Sequence, residues 1–284
     1  MHKGWSWQLV FMISYLMGGV ASFAVPLTKR SKLEEFVTNV SENVSSSDAR
    51  RLIRKISLLL VFFVSQISIY CFIQVEHFRN AVTAEELIDK SIRVVTAFLG
   101  FWIMSTCIFY WTLMQLLFLS HMRLLDTCHS VTRNGYKGSI CNVISTITDS
   151  VDTFERLLSP LPLIWFMHGI VSSANAILSS ISNPSDRANI LLLLHDYIPP
   201  ILVAISVSQS VHKVQKKAIA IGAVLRVSRW ISTGDKIMLS LELDRLKSLK
   251  LTGMSFFVMQ KSFVVSYLGC VLSFAALMTG FTKQ

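Results

Sequence analysis

The stretch 251-LTGMSFFVMQKSFVVSYLGCVLSFAALMTGF-281 is apolar for about thirty residues and is broken once by a charge, at Lys261. A helix rises 1.5 Å per residue and a bilayer core is about 30 Å thick, so roughly twenty apolar residues make one crossing. Lys261 therefore divides the stretch into a short lead-in, 252–260, and a crossing segment, 262–281. The crossing segment also carries Ser266, Tyr267 and Ser273, and polar side chains in such a helix belong at a helix interface or beside a wet pore.

The rest of the chain sets the same terms. Hydrophobic residues make up 52% of its 284 positions and charged residues only 15%, which is wrong for a water-soluble globule of this size. Six stretches are long and apolar enough to span a membrane: 5–25, 56–75, 94–119, 161–182, 190–211 and 252–281. All read as helices, because a lipid-facing strand would leave backbone groups unpaired and the alternation of a membrane barrel is missing. The expectation is an all-α polytopic helical bundle forming a single domain over 1–284.

Basic residues orient it. Loops 26–55, 120–160 and 212–251 hold twenty of the 27 Lys and Arg residues, and the opposite side holds six: Lys3, Arg79, Lys90, Arg93, Arg187 and Lys283. Bilayer-flanking basic residues are retained in the cytosol, so these three loops are expected there and both termini outside. The net charge of +10 is thus spent on topology and anionic lipid, with no aromatic platform to suggest nucleic acid. Residues 1–25 could alternatively be a cleaved signal peptide, since Lys3 precedes an apolar core and "VAS" ends near Ser22. The sequons at Asn39 and Asn43 discriminate: on the six-span topology both stay unglycosylated.

The cytosolic loops carry helical patterns of their own. In 139–158, Ile140, Ile144, Ile147, Val151, Phe154 and Leu158 recur at three- and four-residue steps and make one apolar stripe. In 214–250, Val224, Leu225, Ile231, Ile237, Leu241 and Leu246 are expected to do the same. Such helices extend the spans into the cytosol and pack together, or form a subunit interface.

A second polar cluster, "HDYIPP" at 195–200, lies in the fifth stretch. Asp196 is the only acidic residue within any of the six, and an unpaired carboxylate at membrane depth costs about 2.5–3.5 kcal/mol. His195 and His168 are candidate partners, Trp165 and Tyr197 candidate walls, and Pro199 and Pro200 release backbone carbonyls nearby. These five residues, Trp165, His168, His195, Asp196 and Tyr197, form the candidate ligand pocket. The alternative is that Asp196 sits near the interface and is solvated.

The tail "LDRLKSLKLTGMSFFVMQKSFVVSYLGCVLSFAALMTGF", 243–281, resembles the end of the insect-type gustatory receptor family. There a cytosolic amphipathic helix leads into a last span bearing a Thr-Tyr, five hydrophobic residues, Gln-Phe signature. Ser266, Tyr267, the five residues Leu268 to Leu272, Ser273 and Phe274 fall in register with it, Ser266 keeping the hydroxyl of the Thr and Ser273 losing the amide of the Gln. The segment "DSVDTFERLLSPLPLIWF", 149–166, is similar to the family's linker into its fifth span. Counting back from the signature makes the six stretches the family's spans two to seven, with its first span missing here, as in a truncated or divergent member.

The resemblance implies a plasma-membrane chemosensory receptor: a ligand-gated, non-selective cation channel in the seven-transmembrane channel superfamily. It implies a small-molecule tastant or odorant as ligand, membrane lipid around the chain, and a homo- or hetero-tetramer with related subunits. The last span lines the pore, and Ser266, Tyr267, Ser273 and Phe274 are its signature residues. Tyr267 and Ser273, six positions apart, are expected to share roughly one face.

Enzyme chemistry finds no support, since no phosphate-cradling loop, HExxH, nucleophile elbow or ligand-spaced Cys/His set occurs. No cofactor, metal site or disulfide framework is implied by the five cysteines, three in spans and two in a cytosolic loop. The rival readings are a G-protein-coupled or transporter-like receptor organised around Asp196, and a non-conducting gustatory-receptor-like subunit.

Overall fold

A computed structural model describes residues 3–79, 83–133, 139–182, 187–227, 232–254 and 256–282. The described residues form an all-α fold: α1 (Lys3–Thr28), α2 (Arg30–Ser41), α3 (Ser46–Arg79), α4 (Ala84–Arg133), α5 (Ser139–Leu158), α6 (Pro160–Ser182), α7 (Arg187–Val227), α8 (Thr233–Lys247) and α9 (Lys261–Thr282). The stretches 5–25, 56–75, 94–119, 161–182 and 190–211 each lie in one helix; of 252–281 only 261–281 is helical, in α9, and the described residues of 252–260 are not. Among the described residues, Phe98–Cys128 and Pro160–Leu178 are apolar over a length sufficient to cross a bilayer, and Ile13–Thr28 and Ser262–Met278 are shorter apolar helices.

Local signals explain where helices start and stop. Ser45 Oγ accepts from the Asp48 backbone N–H at 3.1 Å and donates to Asp48 Oδ2 at 2.6 Å, capping the first turn of α3. Pro160 opens α6, where its missing N–H has no helical partner to lose, and so separates α5 from α6 with Ser159 alone between them. The 50 residues of α4 and 41 of α7 run about 75 and 60 Å at 1.5 Å per residue, well beyond a 30 Å hydrocarbon core. Helix α7 continues through Pro199 and Pro200.

Two layers result. In the bundle, α1 packs on α4 and α6, α6 on α7 and α9, α3 on α4, and α4 on α7. At one end α5 packs on α8 and α4, α8 on the extension of α7, and α2 on α4 and α5. The helices of the three basic loops therefore gather at the same end of the molecule. One continuous core joins the layers, from Ile103, Met104 and Tyr110 through Phe154 and Ile147 to Leu239 and Leu243.

The apolar stripe of α5 packs inward throughout: Ile140, Ile144, Ile147, Val151, Phe154 and Leu158 are all buried. The stripe expected in 214–250 is different. Val224, Ile237 and Leu241 are exposed, whereas Val214, Ala218, Ile221, Leu239, Leu243 and Leu246 are buried; Leu225 and Ile231 lie outside the described side chains. Apolar residues occur on both sides of α8, and the choice between them is made by Gly222. A Cβ there would stand 2.3 Å from Leu243 Cδ1, so the missing side chain is the seat for Leu243 and fixes which face of α8 turns inward.

Candidate functional site

Helix α9 enters through a tight hairpin. The Met259 N–H donates to the Leu251 carbonyl at 2.9 Å and the Gly253 N–H to the Phe257 carbonyl at 3.1 Å, an antiparallel pairing centred on Thr252 and Val258. Gly253 is required at the turn because a Cβ would lie 2.3 Å from the Phe257 ring, and Met254 adopts φ +50°, the left-handed region. The Phe257 ring then stacks on Phe263 at 4.3 Å between centroids.

Tyr267 closes this cluster. Phe166 of α6 stands edge-on to Phe257, Phe263 and Tyr267, with centroid separations of 5.0, 4.4 and 5.2 Å. Such T-shaped contacts add about 0.5–1.5 kcal/mol each beyond burial. The signature tyrosine thus pins the start of α9 to α6, with Val271, Ala275 and Met278 continuing the same buried face. Ser266 and Ser273 are exposed and Phe274 is half-buried. Tyr267 and Ser273 do not share a face: at 100° per residue six positions turn through 600°, which leaves them about 120° apart. Away from the cluster α9 is exposed in one chain, with Ser266, Cys270, Ser273 and Leu277 along one flank and Val265, Gly269, Leu272 and Ala276 opposite Tyr267.

A carboxylate ties the hairpin to α5. Glu155 accepts from the Thr252 backbone N–H through both oxygens at 3.1 Å and from the Thr252 hydroxyl. Burial pushes the Glu155 carboxyl above its ordinary range, an effect its bonds to Thr252 partly offset. Around it the layer is cross-linked. Arg245 of α8 reaches Asp149 and Asp152 of α5 at 3.1 and 3.3 Å. Gln215 Nε2 of α7 lies within 3.1–3.3 Å of the Leu246, Lys247 and Leu249 carbonyls at and just beyond the end of α8. Lys29 Nζ donates to the Arg156 and Leu157 carbonyls at the end of α5, at 2.8 and 3.0 Å, and Lys217 pairs with Asp126.

Of the candidate pocket residues, Trp165 and His168 are buried between α6, α4 and α1. Trp165 Nε1 donates to Thr106 Oγ1 at 3.1 Å, and its ring stands edge-on to Tyr110 at 5.2 Å. His168 packs edge-on against Tyr15 at 4.1 Å, and the Tyr15 hydroxyl bonds Ser172 Oγ at 3.1 Å. His195, Asp196 and Tyr197 lie on α7, and their side chains fall outside those the structure describes. Sequence reading passed over Tyr15, Thr106 and Ser172. The signal of Thr106 and Ser172 was weak, since a single Ser or Thr hydroxyl in an apolar helix more often bonds its own backbone, as Thr106 also does to the Ile103 carbonyl at 2.7 Å. It missed Glu155 and Gln215 for another reason, as ordinary polar residues of an amphipathic helix.

No known family profile and no curated protein matches the chain. Its fold is similar to that of the insect olfactory receptor OR5 from Machilis hrabei, in a structure of the receptor and in one of its complex with eugenol. In both the TM-score is 0.65 at 14% sequence identity, covering 94% of this chain and 79% of that chain. The chain therefore has the helical membrane fold of an insect olfactory receptor, an architecture that the identity alone would not reveal.

Proposed function

We propose that this chain is a chemosensory receptor of the insect gustatory type, working as a ligand-gated, non-selective cation channel in the plasma membrane. It assembles as a tetramer, of itself or with related subunits, in which α9 lines a central pore and the α2, α5 and α8 layer is cytosolic. Both described ends of the chain then face outward, and the six helices that contain the apolar stretches are the family's spans two to seven.

The observation that supports this reading best is the division of α9 into two faces. One side is pinned to α6 and α7 by Tyr267, Val271 and neighbouring aromatics. The other presents the small, partly polar Ser266, Gly269, Cys270 and Ser273 beside the exposed Val265, Leu268, Leu272 and Leu277, a surface that suits water along one strip and a neighbouring subunit or lipid along the other. The Glu155–Thr252 link then couples movements of the cytosolic layer to the start of the pore helix. Likeness in fold to a receptor solved with eugenol supports a small organic ligand. Trp165 and His168, with His195, Asp196 and Tyr197 on the adjacent α7, are the residues we assign to its pocket.

Ion current tests this assignment. Reconstituted in a planar bilayer, alone or with a full-length related subunit, the chain is expected to pass cations when a panel of eugenol-like and sugar-like compounds is applied. Asp196→Ala should reduce the response while leaving surface expression and single-channel conductance unchanged. Absence of current in every combination contradicts the channel reading. Altered ion selectivity in Asp196→Ala would move that residue into the permeation path.

A further inference from the structure

A groove of about 590 Å³ opens between the last turns of α1, helix α2 and the middle of α4; no residue of α9 lines it, and Thr106 in its wall bonds Trp165 behind it. Its polarity is graded along its length. Phe23 and Leu27 of α1 and Trp102 and Phe109 of α4 form apolar walls and are themselves partly exposed. At the end nearer α2 stand Arg30 and Glu34, paired through Nε and Oε1 at 2.7 Å and well exposed. The groove runs from Phe23 past the α1–α2 junction to Glu34, so one elongated amphiphile can lie with its tail against the aromatics and its head at the charges.

The charges at the mouth select the head. A basic mouth would favour anionic lipid, but Arg30 and Glu34 balance, offering guanidinium N–H donors and a carboxylate oxygen side by side. That arrangement is complementary to a headgroup that carries a phosphate and a primary ammonium together. The neighbouring Lys29 is already committed to the carbonyls of α5. On the topology of the proposed function, on which this inference rests for the leaflet alone, the mouth meets the cytosolic headgroup layer.

We infer that this groove is a binding site for a membrane phosphatidylethanolamine, its phosphate held by Arg30, its ammonium by Glu34 and one acyl chain laid between Phe23, Leu27, Trp102 and Phe109. The test is photolabelling of the full chain in phosphatidylcholine vesicles. These contain a small fraction of either a phosphatidylethanolamine or a phosphatidylcholine with a diazirine in one acyl chain, and labelled peptides are mapped by mass spectrometry. The exposed face of α3 around Phe62 and Phe72 reports ordinary lipid contact.

With the ethanolamine probe, the peptides containing Phe23 to Leu27 and Trp102 to Phe109 should label more strongly than α3, and more strongly than with the choline probe. Arg30→Ala should lower that labelling roughly tenfold, the factor expected for loss of one hydrogen bond to a charged group. Ser105→Trp, which fills the groove, should abolish it, with α3 labelling retained as the sign of an intact fold. Labelling no stronger than on α3, equal labelling by both probes, or indifference to both substitutions overturns the proposal. So does a groove shielded from both probes, the result expected if a second copy or another protein segment covers it. None of these outcomes depends on whether the chain conducts.

Discussion

Gly222 shows how one residue without a side chain decides a packing direction. Alanine there would ordinarily favour a helix by about 1 kcal/mol. Here the added Cβ would stand 2.3 Å from Leu243 Cδ1, on a side chain too enclosed to swing away. Forcing a methyl into such a contact costs about 1–3 kcal/mol, so crowding outweighs propensity. Gly222→Ala should therefore lower the melting temperature of the detergent-solubilised protein, and the same change in a Leu243→Ala background should be neutral or stabilising. Destabilisation of equal size in both backgrounds would mean that the two residues do not share the contact. Tyr267 is the converse case, since its place in a signature marked it in the sequence while its partners did not show. Phe166 lies about a hundred positions away, and only the fold brings it to Tyr267, Phe263 and Phe257.

Helix α5 was the most legible element. A sixfold apolar recurrence has one way to be satisfied on a 3.6-residue helix, and all six side chains are buried. Helix α8 was not, because its apolar residues admit two inward faces and the arbiter lies on α7. Between these elements and α9, Glu155 is a titratable link. Its carboxyl is raised above the ordinary value of 4.5, so the folded chain holds that proton more tightly than the unfolded one. The stabilisation this confers is complete below the ordinary value and is lost as pH rises through the raised one. Glu155→Gln keeps an acceptor for Thr252 and removes the titration. The melting temperature of the variant relative to the parent should therefore rise as pH increases from about 4.5 towards neutrality. A relative fall over that range would mean that the ionised carboxylate gains more from Thr252 than it loses by burial.

At the scale of the whole molecule, hydropathy and charge read well because a bilayer enforces them. The number and order of the long helices could be read from the chain, and so could the gathering of the basic-loop helices at one end, but α4 runs on to Arg133 and α7 to Val227, into stretches expected as loops. Which side chains α1, α4 and α6 turn towards one another could not be read, since helix periodicity in all-apolar spans carries little information about facing. The proposed topology makes one simple prediction: expressed in glycosylating cells, the chain carries no glycan at Asn39 or Asn43. A glycosidase-sensitive mass shift that disappears in the Asn39→Gln, Asn43→Gln variant would reverse it. The central claim, that α9 lines a pore, is tested most directly by placing single cysteines at positions 266 to 280 after Cys270→Ser. Block of ligand-evoked current by a charged thiol reagent is then measured. The account predicts block with a helical period, present at 266, 269, 273 or 277 and absent at 267, 271, 275 and 278. Uniform protection along the helix, or reactivity in the opposite phase, would contradict it.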